Sequence, residues 1–264
     1  MQLRNKTAVI YGASGAIGSA VALAFAKEGA RVFITGKNKE TIQALAKDII
    51  SKGGFADAQQ VDALDQDAVN NHLKMLIEKE GKLDISFNAM GIPQTGVQGI
   101  PLLQLTPEGY MNPISSYSKS HFITATAAAK KMVAKKAGVI LTLTAVPSVL
   151  AVPLVGGMAP AWASIEALTR TLAAEMGSQG IRVVCLRADG MPETDIITTV
   201  FGLHAKGAGM ASNKEFQGLM ESFTLLKRLP TLAELANTAV FIASDNASAI
   251  TGTTINVTCG SVVD

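Results

Sequence analysis

The residues with the plainest chemistry are Tyr11-Gly12-Ala13-Ser14-Gly15-Ala16-Ile17-Gly18. A side chain at Gly12 or Gly15 would hold the backbone away from a pyrophosphate. Gly18 would let a following helix pack closely on the preceding strand. The start of that helix offers free N–H groups and a partial positive charge to phosphate. The spacing therefore reads as a dinucleotide cradle formed by Gly12, Ser14, Gly15, Ala16, Ile17 and Gly18, although glycine loops also serve as plain tight turns. A second position sets the type of dinucleotide. Sites that prefer NAD place an acid at the end of the second strand to bond the ribose 2′-hydroxyl. Here the chain reads Thr35-Gly36-Lys37-Asn38, with no acid. A 2′-phosphate would meet no repulsion there and would find the Lys37 ammonium, a point charge without the directionality of Arg. NADP(H) is expected over NAD(H). The plainer alternative makes Lys37 a solvated lysine at a helix start.

Proton transfer has fewer candidates. Tyr117-Ser118-Lys119 places a phenol beside an ammonium, but residues two apart on a helix point away from each other. His121, four residues on, shares the face of Tyr117. A Tyr117/His121 pair facing the reacting centre is the sharper expectation; packing of that face against the core or a partner subunit is the other. Thr142, Thr144 and Ser148 could bond a substrate oxygen, or act as ordinary strand and loop residues. His72, next to Lys74 within a polar helix, is expected at the surface. His204, in the glycine-rich stretch 202–209, is expected on a lid. The three histidines have no metal-ligand spacing.

Those residues need a scaffold, and short β-branched runs alternate with helix-period stretches along the chain. Strands are expected at Thr7–Tyr11, Arg31–Thr35, Ala56–Val61, Leu83–Asn88, Val139–Thr144, Arg182–Leu186 and Thr254–Val257. Helices are expected at Ser19–Glu28, Lys39–Lys52, Gln66–Lys79, Ala161–Met176 and Thr231–Ala243, with further helical sequence between the fourth and fifth strands. This β-α-β order predicts an α/β fold with a parallel sheet covered on both faces.

Composition removes other classes. With 264 residues the chain can bury a large core without disulfides or metal. Charged residues make up 17% and apolar ones 48%, which excludes a disordered chain. The formal net charge of +2 makes no case for nucleic acid. Two cysteines, Cys185 and Cys259, fit a reducing cytoplasm. Met1 to Lys6 lacks the long apolar region and cleavage site of a signal peptide. Residues 137–165 carry no charge, yet Pro147, Pro153, Pro160 and Gly156-Gly157 interrupt any membrane span. That stretch reads as a buried strand followed by an apolar loop.

Several motifs together resemble the short-chain dehydrogenase/reductase family over nearly the whole chain. Beyond the glycine loop these are Val61-Asp62 after the third strand and Asn88-Ala89-Met90-Gly91 after the fourth. Gly190 to Thr194 follows the sixth, with Asp189 in place of a proline, and the tail Ala243 to Gly252 is similar to the family's end. The resemblance implies a Rossmann-like, doubly wound parallel sheet of about seven strands in one dinucleotide-binding domain. It also implies cofactor contacts at Asp62, Asn88, Ala89, Gly91, Gly190 and Thr194, and a homodimer or homotetramer built on the fourth and fifth helices.

The family's catalytic Asn, Ser, Tyr and Lys fall, by the same resemblance, at Tyr117, Ala145, Met158 and Trp162. Ala145 and Met158 cannot transfer a proton, and Trp162 offers only an indole N–H. No shift of register restores Tyr-x-x-x-Lys, because Tyr11, Tyr110 and Tyr117 all lack a lysine four residues later. The substrate side, Val146 to Met158 and the lid segment 191–223, is apolar and rich in Met and Phe. It predicts a hydrophobic ligand, while the charge balance and the interrupted apolar stretch predict no nucleic-acid or membrane partner. Three activities remain open: an NADP(H)-dependent oxidoreductase with a non-standard or missing proton donor, a catalytically inactive dinucleotide sensor or partner subunit, and a non-redox isomerase or lyase on this fold.

Overall fold

The computed structural model describes residues 1–263. Seven strands form one wholly parallel sheet: β1 (Thr7–Tyr11), β2 (Arg31–Gly36), β3 (Phe55–Gln60), β4 (Ile85–Asn88), β5 (Gly138–Ala145), β6 (Ile181–Ala188) and β7 (Thr254–Val257). Their order is β3-β2-β1-β4-β5-β6-β7. The helices are α1 (Ala16–Lys27), α2 (Lys39–Ser51), α3 (Gln66–Glu80), α4 (Pro107–Met132), α5 (Met158–Met176), α6 (Asp195–Gly207), α7 (Asn213–Phe223) and α8 (Leu232–Ala243). None of them is long and apolar enough to cross a membrane.

Every residue of β1 is buried, which explains its unbroken apolar run: helices cover both faces of a parallel sheet. Side chains alternate between the faces. Ala8 and Ile10 join Phe25 of α1 and Leu235 and Ala239 of α8 in one core. Val9 and Tyr11 join Leu73 of α3, Ala128 of α4 and Leu172 of α5 in the other. The strand order reverses between β1 and β4, which opens a crevice at their carboxyl ends.

Three expectations change. The first helix begins at Ala16, directly after the glycine loop, and α5 begins at Met158 rather than Ala161. Neither start has a side-chain cap, so neither has a start signal in the sequence. His72 is buried, 3% exposed, not a surface residue. It belongs to the inward stripe Val69, His72, Leu73 and Leu76 of α3; helical period outweighs its polar type and its neighbour Lys74. The segment 191–223 folds into α6 and α7, whose Phe201, Ala205 and Phe216 form a small core with Leu229.

Candidate active site

A cavity of about 1000 Å³ runs along the carboxyl ends of β1, β4, β5 and β6. One end is walled by the glycine loop. Gly12 has φ +73°, and a Cβ there would lie 2.6 Å from the Ala89 carbonyl oxygen and the Met90 nitrogen. A Cβ at Gly18 would overlap the Gly12 carbonyl, so Gly18 lets α1 close on the loop. Gly15 N-caps α1 with no side-chain hydrogen bond. By contrast α2, α3, α4, α6, α7 and α8 all start with a side-chain cap. The first-turn N–H groups of α1 thus have no side-chain acceptor, and Gly15, Ala16 and Ile17 line the cavity. This is the geometry a pyrophosphate needs.

Lys37 and Asp62 close the same end. Their side chains pair at 2.9 Å, both partly exposed. Burial opposes ionisation of Asp62, but the Leu64 N–H and the Lys37 ammonium outweigh it and hold the carboxyl below its usual range. Ser14, Ala89, Gly91, Gly190 and Thr194 also line the cavity. Asn88 lies beneath it: its amide donates to Thr124 at 3.0 Å and its oxygen accepts from the Met90 N–H at 2.9 Å. Its side chain shapes the turn and locks it to α4. Thr194 caps α6, and Asp189 accepts from the Gly190 N–H and from Ser261, each at 2.7 Å.

Tyr117, Ala145, Met158 and Trp162 meet at the other end. The Tyr117 and Trp162 rings lie 6.5 Å apart, within an apolar cluster that includes Val97, Val155 and Ile165. Burial pushes the Tyr117 phenol up to about 12, against the Ile92 backbone N–H and the Gln94 side chain, which both favour the phenolate.

His121 sits beside Tyr117 in a different role from an acid. Its Nδ1–H donates to the Tyr117 carbonyl at 3.0 Å, not to the phenol. Burial draws its pKa down to about 4, only partly offset by the Tyr117 and Asn88 backbone carbonyls. His121 is therefore neutral near pH 7, with a buried, unpartnered Nε2 acceptor on a cavity-lining residue.

The hydroxyls near β5 are committed elsewhere. Thr142 pairs with Thr169 at 2.8 Å, and Thr144 and Ser148 donate to Glu166 Oε1. Glu166, one turn after Trp162, makes a two-pronged ion pair with Arg187 of β6 at 2.8 and 2.9 Å. This buried cluster ties α5 to the ends of β5 and β6. No local pattern in the sequence marks it, since Glu166 and Arg187 are 21 residues apart. Gln94 and Gln98 carry no sequence signal either. Gln98 Nε2 donates to Gln94 Oε1 at 2.5 Å, and His204 Nε2 lies 3.0 Å from Gln98 Oε1. His204 thus belongs to a buried polar strip on the cavity wall. No group of His, Cys, Asp and Glu among the described residues could hold a metal.

A parallel sheet reversing at β1/β4, with a glycine cradle over the switch point, defines a Rossmann-type α/β protein. Residues 12–261 match the family profile described as enoyl-(acyl carrier protein) reductase. The chain belongs to the short-chain dehydrogenase/reductase family of oxidoreductases. It is 30% identical over 263 residues to a 3-oxoacyl-[acyl-carrier-protein] reductase of Synechocystis, covering 99% of this chain and 98% of that protein. A gluconate 5-dehydrogenase from Burkholderia cenocepacia, solved with NADP and tartrate, superposes with a TM-score of 0.87 at 25% identity, over 99% of this chain and 98% of that one. NAD+-bound xylitol dehydrogenase shares the fold, with a TM-score of 0.92 at 22% identity, over 98% of this chain and 100% of that one.

Proposed function

We propose that this chain is an NADP(H)-dependent oxidoreductase that reduces a carbonyl or activated alkene, or oxidises the matching alcohol, on a hydrophobic substrate. In this reading its proton donor is non-standard, the phenol of Tyr117. The observation that carries the reading is one cavity lined by an uncapped glycine cradle at one end and by Tyr117 at the other. When bound, the dinucleotide supplies or takes up the hydride.

The glycine loop N–H groups would hold the pyrophosphate. Lys37 would turn from Asp62 to a 2′-phosphate. Tyr117 stays protonated at neutral pH and donates to a developing alkoxide, which is far more basic. His121, being neutral, accepts a hydrogen bond at Nε2 and orients a hydroxyl of substrate or ribose. Trp162 and Met158 keep water from the reacting carbon. Phe122, 55% exposed on α4, fits a homo-oligomer built through that helix.

Calorimetric titration with NADPH and, separately, NADH tests the reading. The expected result is NADPH binding at least about tenfold tighter, the scale of one charge-assisted hydrogen bond. A screen of apolar aldehydes, ketones and enones then follows. Absence of binding by either dinucleotide overturns the reading; binding without turnover leaves the inactive sensor in its place.

A further inference from the structure

The polar strip at the roof of the cavity has unused hydrogen-bonding capacity. Gln98 Nε2 donates to Gln94, so the atom facing His204 is the Gln98 carbonyl oxygen. His204 Nε2 must then carry the hydrogen. Burial lowers the imidazole pKa, so the ring is neutral and Nδ1 holds a lone pair. Nδ1 has no hydrogen-bond partner among the described residues, although His204 is 4% exposed and lines the cavity. Its ring packs 5.3 Å from that of Phe216 on α7, which fixes its plane. Nδ1 is not among the buried unpartnered atoms, so it is open to the cavity, and a ligand that covers it must supply a donor. A ketone or an ether oxygen cannot supply one; a hydroxyl can.

Charge narrows the ligand further. Lys37 is the one lysine or arginine lining the cavity among the described residues, and it stands at the glycine-loop end, paired with Asp62. The other charged residues lining the cavity are the acids Asp62, Asp189 and Asp195. A carboxylate or phosphate on the substrate would find no counter-ion away from Lys37, at a cost burial makes large.

Resting on the oxidoreductase reading above, we infer that the substrate is an uncharged, largely apolar molecule with a hydroxyl remote from the reacting carbon, and that His204 binds this hydroxyl. The strip then measures substrate length. Tyr117 meets the reacting oxygen, and the Gln94–Gln98–His204 chain leads from it to the second oxygen under α6.

The test is binding, read by calorimetry and thermal shift with and without NADPH. The probes are a homologous series of ω-hydroxy-2-alkanones, with the matching 2-alkanones and ω-carboxylates. One length of hydroxyketone is expected to bind about five- to tenfold tighter than its parent ketone, the scale of a neutral hydrogen bond. The carboxylate should bind weakest. His204→Phe should keep ketone binding and lose the preference for the hydroxyl. Should His204→Phe fail to fold, Gln98→Leu, which frees His204 Nε2, is expected to lose the same preference. Equal affinity for hydroxyketone and ketone, no binding across the series, or a preference that survives His204→Phe each overturns the inference. A hydroxyl preference in a protein that binds no NADPH supports it while removing the oxidoreductase reading.

Discussion

At the glycine-loop end of the cavity the wall is mostly backbone. Gly12, Gly15 and the first turn of α1 present N–H groups, and few side chains take part. At the other end the wall is side chains from four places: Gln94 and Gln98 after β4, Tyr117 and His121 on α4, Met158 and Trp162 on α5, and His204 on α6. The first end tolerates little sequence change, because a Cβ at Gly12 would strike the Ala89 carbonyl. The second end is braced by a buried polar cluster. There Glu166, Arg187, Thr144 and Ser148 hold the ends of β5, β6 and α5 together. In the proposed reading the chain separates binding from chemistry. The binding end follows the family pattern. The end around Tyr117 combines an apolar wall with the Tyr117 phenol, the Gln94 and Gln98 amides and the His121 and His204 imidazoles.

The sharpest way to break that contrast is at Tyr117. Tyr117→Phe keeps the ring contacts with Trp162 and removes only the proton. It should lower kcat by about 10²–10⁴, with NADPH affinity and thermal midpoint nearly unchanged. Unaltered turnover would show that the reacting end uses water or the substrate's own proton, and that the phenol is core.

Next in size is the support beneath. Glu166→Gln leaves Arg187 buried without its counter-charge and should cost about 3 kcal/mol in urea unfolding at pH 7. Acidification sharpens the point. Burial raises the Glu166 pKa, but Arg187, Ser148 and Thr144 outweigh burial and hold the carboxyl below its ordinary range. A carboxyl depressed in the folded state adds stability that is present above the unfolded value and lost as pH falls through the folded one. The wild-type protein should therefore lose stability below the ordinary glutamate range. Glu166→Gln should show a shallower acid limb. Parallel acid limbs would place the sensitivity elsewhere.

The smallest effect belongs to the binding end. Lys37→Ala should weaken NADPH about tenfold and leave NADH unchanged, because only the 2′-phosphate distinguishes the two. Equal losses for both dinucleotides would mean that Lys37 acts through Asp62, its partner at 2.9 Å.

The sequence by itself carried the sheet and the glycine cradle. Alternation along β1 separates its two faces, and unbroken apolar runs mark strands covered on both sides. The cradle is readable because it is local: a strand end, a few glycines and a helix start are consecutive in the chain. The placement of Ala145, Met158 and Trp162 at one end of the cavity was legible too, since β5 and α5 follow each other. His72 was misjudged because one helix contains both faces, and only packing decides which is inside.

Tertiary structure alone decided the polar contacts around Tyr117, His121 and His204. His204 reaches Gln98 across 106 residues, and Arg187 reaches Glu166 from another strand. The Tyr117 carbonyl sets the His121 tautomer, and burial keeps the ring neutral. The physical reason is one of range. Backbone geometry and helix starts follow from neighbouring residues, whereas a side chain's hydrogen-bond partner and pKa depend on what the fold brings against it.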